Sequence, residues 1–240
     1  MKVLVISDLH YELGEHRGVD QSVAWDWLLE IVELHDPDLL LSCGDWGSAV
    51  TLEGFNELTS KVEVYTIYGN HENLKVLELA RNRNGKPVLL NDCRVVEVGG
   101  LRIGGINGII SLSRRSKGGV PRKRPEEFLP AAQCLRYRGV DILLVHEVVP
   151  LPEYSQLITP REYLGVVLEA VETVSPRIVF NGHLHAMPYT ISRIGRSLYV
   201  RVDSSQKSRH YAVLYPEKGS VEIWVDSEKK AEVSRSSHLP

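Results

Sequence analysis

Five short clusters of oxygen and imidazole donors follow one another along the 240-residue chain: Asp8-Leu9-His10, Gly44-Asp45, Gly69-Asn70-His71-Glu72, His146 and Gly182-His183-Leu184-His185. Seven of these side chains, Asp8, His10, Asp45, Asn70, His146, His183 and His185, are of types that bind divalent cations. Carboxylates, imidazoles and an amide oxygen, without thiolates, suit borderline or hard ions, Mn first, with Fe, Zn, Ni and Co as alternatives. Seven donors are enough for two ions side by side, and Asp45 is a carboxylate that could bridge them at about 3.5–4 Å. Such a pair polarises a phosphoester and lowers the pKa of a shared water, so that hydroxide attacks phosphorus in line with the leaving group. Taken singly, Asp8-x-His10 or Gly44-Asp45 reads as a strand-end turn and His146 as a core histidine. The inference comes from all five in order.

Elements must bring these clusters together. Residues 2–7 form a β-branched run that reads as a buried strand ending at the first cluster. Between Asp20 and His35, Val23, Trp27, Leu28, Ile31 and Leu34 recur at helical spacing, and Pro37 stops that helix. Leu39–Ser42 is a second strand, followed by a helix near 52–60, a strand at 62–68 and a helix at 73–83. This β-α-β-α-β series predicts a parallel sheet with its ligand clusters at the C-terminal ends of the strands. Residues 93–98 and 101–107, split by Gly99-Gly100, read as a hairpin. A Gly/Arg/Lys/Pro loop over 108–125 and a helix over 126–138 come next. Val140–Val145 delivers His146, Thr159-Pro160 opens a helix to about 174, and Arg177–Phe180 delivers Gly182-His183. Strands near 187–194, 197–203, 209–215 and 220–225 close the chain. Residues 1–226 read as one domain, an α/β fold of four layers, α-β-β-α, with two mixed sheets between helices. Residues 227–240, charged and Ser-rich, read as a frayed tail.

The five blocks resemble the calcineurin-like metallophosphoesterase superfamily, whose pattern is D-x-H, GD, GNH followed by D or E, then H, then G-H-x-H. Every block is present, from Asp8 to His185. The resemblance implies a β-sandwich flanked by helices. It implies that Asp8, His10 and His185 hold one cation, that Asn70, His146 and His183 hold the other, and that Asp45 bridges. It also implies that His71 is no ligand but a catalytic residue, placed to protonate the leaving oxygen or stabilise phosphoryl charge. Glu72 would orient that imidazole or cap the following helix, with the cap preferred.

Protein phosphatases of the superfamily extend the second block to GDxVDRG. Gly44-Asp45-Trp46-Gly47-Ser48-Ala49 lacks that Asp-Arg pair. The compact D-x-H, GNHE, GHLH set is more similar to the small phosphodiesterase members. The expected activity is therefore a phosphodiesterase on nucleotides or nucleic acid, with a phosphomonoesterase or nuclease on the same site as the alternative. A catalytically silent scaffold of the same fold would be expected to have lost donors that this chain keeps.

A net charge of −3 excludes a protein that coats nucleic acid or anionic membrane through its overall field. The stretch from Arg114 to Arg124 is locally basic, and Arg114, Arg115 and Lys117 are candidates to capture a polyanionic substrate. Trp46, beside Asp45, could stack on a base, and Tyr11 could line the pocket. Three widely spaced cysteines, Cys43, Cys93 and Cys134, indicate no disulfide framework, and Cys43 and Cys93 read as buried thiols. No apolar run reaches the ~20 residues that span a bilayer, so a cytoplasmic enzyme without a membrane partner is expected. No heptad or apolar stripe argues for a homodimer.

Overall fold

The computed structural model describes residues 1–16, 18–113, 119–158 and 162–234. The elements run β1 (Val3–Ile6), β2 (Glu15–His16), β3 (Val19–Asp20), α1 (Ala24–His35), β4 (Leu39–Ser42), α2 (Leu52–Lys61), β5 (Glu63–Thr66) and α3 (Leu74–Leu79). They continue with β6 (Val95–Val98), β7 (Leu101–Ile106), α4 (Pro125–Arg138), β8 (Ile142–Val145), α5 (Gly165–Val174) and β9 (Ile178–Asn181). The chain then runs through β10 (Tyr189–Ile194), β11 (Ser197–Val202), β12 (His210–Tyr215), β13 (Ser220–Val225) and β14 (Glu228–Ser234).

Strands buried on both faces read as unbroken apolar runs, and their alternation shows the layers. In β1, Val3 and Val5 join the core between the sheets, while Leu4 and Ile6 pack under Trp27, Leu28 and Ile31 of α1. In β8, Ile142 and Leu144 face the same central core, while Leu143 and Val145 pack on α4 and α5 through Leu135 and Val171. The result is helix, sheet, sheet, helix. One six-stranded sheet has the order β14-β13-β12-β1-β4-β5 and the other β10-β11-β9-β8-β7-β6. Both are mixed: β1, β4 and β5 are parallel with antiparallel β12 beside β1, and β11, β9, β8 and β7 are parallel with antiparallel β10 and β6 at the two edges.

Four expectations need correction. Helix α1 starts at Ala24 because Asp20 accepts from the Ser22 amide and hydroxyl in a turn that the β2–β3 ribbon leads into. Helix α3 stops at Leu79, since the Asn82 amide must turn back to bind Val64 N and O along the edge of β5. Residues 228–234 are not frayed: β14 pairs with β13 from Ser220↔Ser234 to Val225↔Glu228 and buries Val233 against the core. Residues 235–240 lie outside the described residues. Finally, Cys93 and Cys134 form a disulfide that joins the turn before β6 to α4, which the odd cysteine count concealed; Cys43 is a buried free thiol. No described helix is long and apolar enough to cross a membrane.

Candidate metal centre

The parallel strands of both sheets end on one edge, and the donor clusters are the turns that follow them. Asp8 and His10 follow β1, Asp45 follows β4, Asn70 and His71 follow β5, His146 follows β8, and His183 and His185 follow β9. Strand alternation does not aim Asp8 and His10, as both lie past the strand end. They sit in the left-handed region with φ of 60° and 51°, and Asp45 and His183 share it at 58° and 66°. These are four of the nine non-glycine residues with positive φ among the described ones, a clustering of backbone strain that marks functional sites. The contorted turns are held by long-range hydrogen bonds: Asp8 N to Gly44 O, His10 N to Asp45 O and Tyr11 N to Trp46 O.

Two donor sets result. Asp8, His10 and His185 form the first, and Asp45, His146 and His183 the second; within each, one ligand atom per residue lies within 4.8 Å of the others. In the first set, His10 Nε2 is 3.2 Å from His185 Nε2. Asp8 Oδ1 stands 3.9 Å and 3.7 Å from those two nitrogens. Two nitrogens bound to one ion at about 2.1 Å stand roughly 3–3.4 Å apart, so this is the spacing of a shared ion. Asp8 Oδ2 accepts from Ser7 Oγ and from His183 N at 2.9 Å, while Oδ1 shares the His183 N–H at 3.2 Å and faces the two imidazoles. Asp45 faces both sets with different oxygens, Oδ2 at 3.8 Å from His10 Nε2 and Oδ1 at 3.4 Å from His146 Nε2.

The donors fit a pair of divalent cations. Asn70 Oδ1 and His146 Nε2 are buried with no hydrogen-bond partner, a costly state for a polar atom unless it has a ligand to bind. His146 Nδ1 donates to Cys43 O at 2.7 Å, which leaves the Nε2 lone pair for the site. Burial holds His10 and His183 below the usual imidazole range, more than Asp45 and Asp8 raise them, so both favour the neutral form that ligates. Burial would lower His146, but the Asp45 carboxylate outweighs it and pushes it up to about 10, so a cation at Nε2 would take the place of a proton that Asp45 favours there. Burial would raise Asp45, yet His146 and His10 keep it well below the carboxylate range. Burial and the Asp45 charge together push Glu72 up to about 8. Asp45 is thus a buried charge between the two donor sets, where cations would balance it.

Glu72 neither caps a helix nor reaches His71. Its Oε1 accepts from Asp45 N at 2.6 Å and Gly69 N at 2.9 Å, and its Oε2 from Trp46 N at 3.1 Å. It therefore ties the second and third ligand turns together. His71 is exposed, with its ring edge-on to His10 at a centroid distance of 5.3 Å. Trp46 is a correction: it is fully buried against Trp25 and Phe55, with Nε1 donating to Thr66 Oγ1, so it cannot stack on a substrate. Tyr11 packs its ring on Trp25, 5.9 Å between centroids, and is partly buried there. Arg114, Arg115 and Lys117 lie outside the described residues. Within the same basic stretch Lys123 is buried, paired with Asp92 at 2.8 Å and donating to Asn107 O, so its charge is structural.

Two further side chains meet the last ligand turn, and nothing in the motif pattern picks them out. Arg201, fully buried, donates to Leu184 O and Met187 O. Asp203 accepts from His185 Nδ1. The signal available was a carboxylate directly after an apolar strand, the same one that marks Asp8 and Asp45.

A family model of the calcineurin-like phosphoesterase superfamily domain matches residues 1–219. The chain belongs to this superfamily. Among curated proteins, none matches it in sequence. The fold is similar to the crystal structure of TT1561 of Thermus thermophilus, with a TM-score of 0.69, 12% identity, and 93% of this chain and 98% of that one covered. It is also similar to a 5'-nucleotidase precursor from the same organism, at TM-score 0.51, 17% identity, and 97% and 53% coverage. GAP50, the anchor in the inner membrane complex of Plasmodium, is a third, at 0.53, 12%, and 93% and 83%. At these identities the likeness shows the fold. Membership and the two donor sets together make the chain a phosphoesterase-family protein with candidate sites for divalent metals.

Proposed function

We propose that the protein is a phosphodiesterase acting on nucleotides or nucleic acid, working with two divalent cations, Mn foremost. The observation that carries this reading is the Asp45 carboxylate turned toward both donor sets at once. Asp8, His10 and His185 would hold one cation, Asn70, His146 and His183 the other, with Asp45 between them. Bound there, the cations would supply Lewis acidity toward phosphoryl oxygens and acidify water. The chain's own groups do the rest. Gly69 and Gly182 let the ligand turns close on the site, Glu72 fixes Asp45 against Gly69, and His71 delivers a proton to the departing oxygen from the open side. The compact block pattern, lacking the extended second block of protein phosphatases, favours a phosphodiesterase over a protein phosphatase.

The test is a substrate panel: bis-p-nitrophenyl phosphate against p-nitrophenyl phosphate, then nucleotides, cyclic nucleotides and oligonucleotides, each with Mn, Fe, Zn, Ni or Co. Faster cleavage of the diester supports the reading. Faster cleavage of the monoester replaces it with a phosphomonoesterase on the same site. No turnover of any ester by metal-loaded protein would point to a silent scaffold.

A further inference from the structure

Strand β11 belongs to one sheet and β12 to the other, so the chain crosses between sheets after Val202, at the edge where the ligand turns meet. The crossing starts with Asp203-Ser204-Ser205, three residues at most 8% exposed. Ser204 N donates to Ser7 O at 2.8 Å, and Ser7 N donates back to Ser204 Oγ at 3.2 Å. Ser7 directly precedes Asp8 and donates its hydroxyl to Asp8 Oδ2. Asp203 divides its carboxylate: Oδ1 accepts from Ser205 N at 3.0 Å, and Oδ2 from His185 Nδ1 at 3.1 Å.

His185 needs such a partner. Its side chain is 43% exposed, whereas its counterpart His146 is fully buried and held by Cys43 O, so packing alone does not fix the His185 ring. A neutral ring that donates from Nδ1 to Asp203 keeps its proton on Nδ1 and turns the Nε2 lone pair toward His10 Nε2 and Asp8 Oδ1. A carboxylate behind a ligating imidazole sets its tautomer and raises its basicity. A residue serving only the local turn would need no more than the Ser205 contact.

We propose that Asp203 is a positioning residue for the first cation, fixing the tautomer and orientation of His185, while Ser204 sets Asp8 opposite it from the other sheet. This rests on the two-cation reading above.

The experiment is Mn²⁺ titration by calorimetry, with ring ¹⁵N chemical shifts of His185 in metal-free protein, on wild type, Asp203→Asn and Asp203→Leu. Thermal melts in EDTA check that each variant folds. Wild type should take up two Mn²⁺ per chain and show His185 protonated at Nδ1. Asp203→Leu should lose about 10–100-fold in affinity at one site only, with a mixed tautomer. Asp203→Asn, which keeps one oxygen, should lose less; it supplies the reading if the leucine variant does not fold. Two sites of unchanged affinity in folded variants, or an unchanged tautomer, overturn the role of Asp203 while leaving the two-cation reading intact. Wild type that binds no Mn²⁺ overturns both.

Discussion

At the scale of single residues, the site separates groups that would bind cations from groups that place or serve them. His71 is exposed beside His10 and belongs to neither donor set, so His71→Ala should keep full cation content while turnover falls by roughly 10²–10⁴. Elemental analysis beside kcat checks this, and unchanged turnover would remove His71 from the reaction. Glu72 holds three backbone N–H groups on two oxygens. Glu72→Gln would set an amide N–H against one of these donors, so a loss of about 1–3 kcal/mol is expected in urea unfolding. Donor types were legible in the chain because the ligating side chains follow strands in a fixed order. The role of Glu72 was not, since its place just before α3 suggests a helix cap, while its contacts depend on how two distant turns approach. Trp46 shows the same limit: adjacency to Asp45 says nothing of direction, and its ring points into the core.

At the scale of elements, apolar runs such as Val3–Ile6 and Ile142–Val145 announced buried strands, and Gly99-Gly100 announced the β6–β7 hairpin, because both faces of these strands are covered and the turn needs positive φ. Boundaries set by side chain–backbone bonds were not legible, as Asn82 on β5 and Asp20 before α1 show. The ligand turns depend on close approach. A Cβ added at Gly69 would stand 2.1 Å from Asp45 Oδ1 and 2.6 Å from His146 Nε2. Gly69→Ala should therefore displace donors of the second set and weaken cation binding by about 10–100-fold. Gly165, at the start of α5, has no atom within 4 Å of an added Cβ and no positive φ. Gly165→Ala should leave binding unchanged and raise stability by up to about 1 kcal/mol. Calorimetric Mn²⁺ titration of the pair tests the contrast, and equal affinities would show that the tight turn is not what shapes the site.

At the scale of the whole molecule, the candidate centre lies across the seam between two sheets. Asp8, His10, Asp45 and Asn70 come from the sheet containing β1, and His146, His183 and His185 from the sheet containing β8. The disulfide acts elsewhere, joining Cys93 to Cys134 over 41 residues within the second half of the sandwich. By loop entropy its reduction should cost about 2–4 kcal/mol, read as a lower unfolding midpoint in dithiothreitol with the activity at 25 °C retained. Cations would act on the seam itself, because each donor set draws on both sheets and neither exists in the unfolded chain. Ligand bound only to the native state stabilises by about 2.7 kcal/mol per site at a hundredfold excess over Kd. For a chain of this length that corresponds to roughly 5–10 °C per site. Chelation should then lower Tm by about that amount for each cation lost, and Mn²⁺ should restore it in two steps if the affinities of the two sites differ. A single step would show the sites filling together through Asp45. A melt indifferent to both chelator and Mn²⁺ would mean that no cation spans the seam.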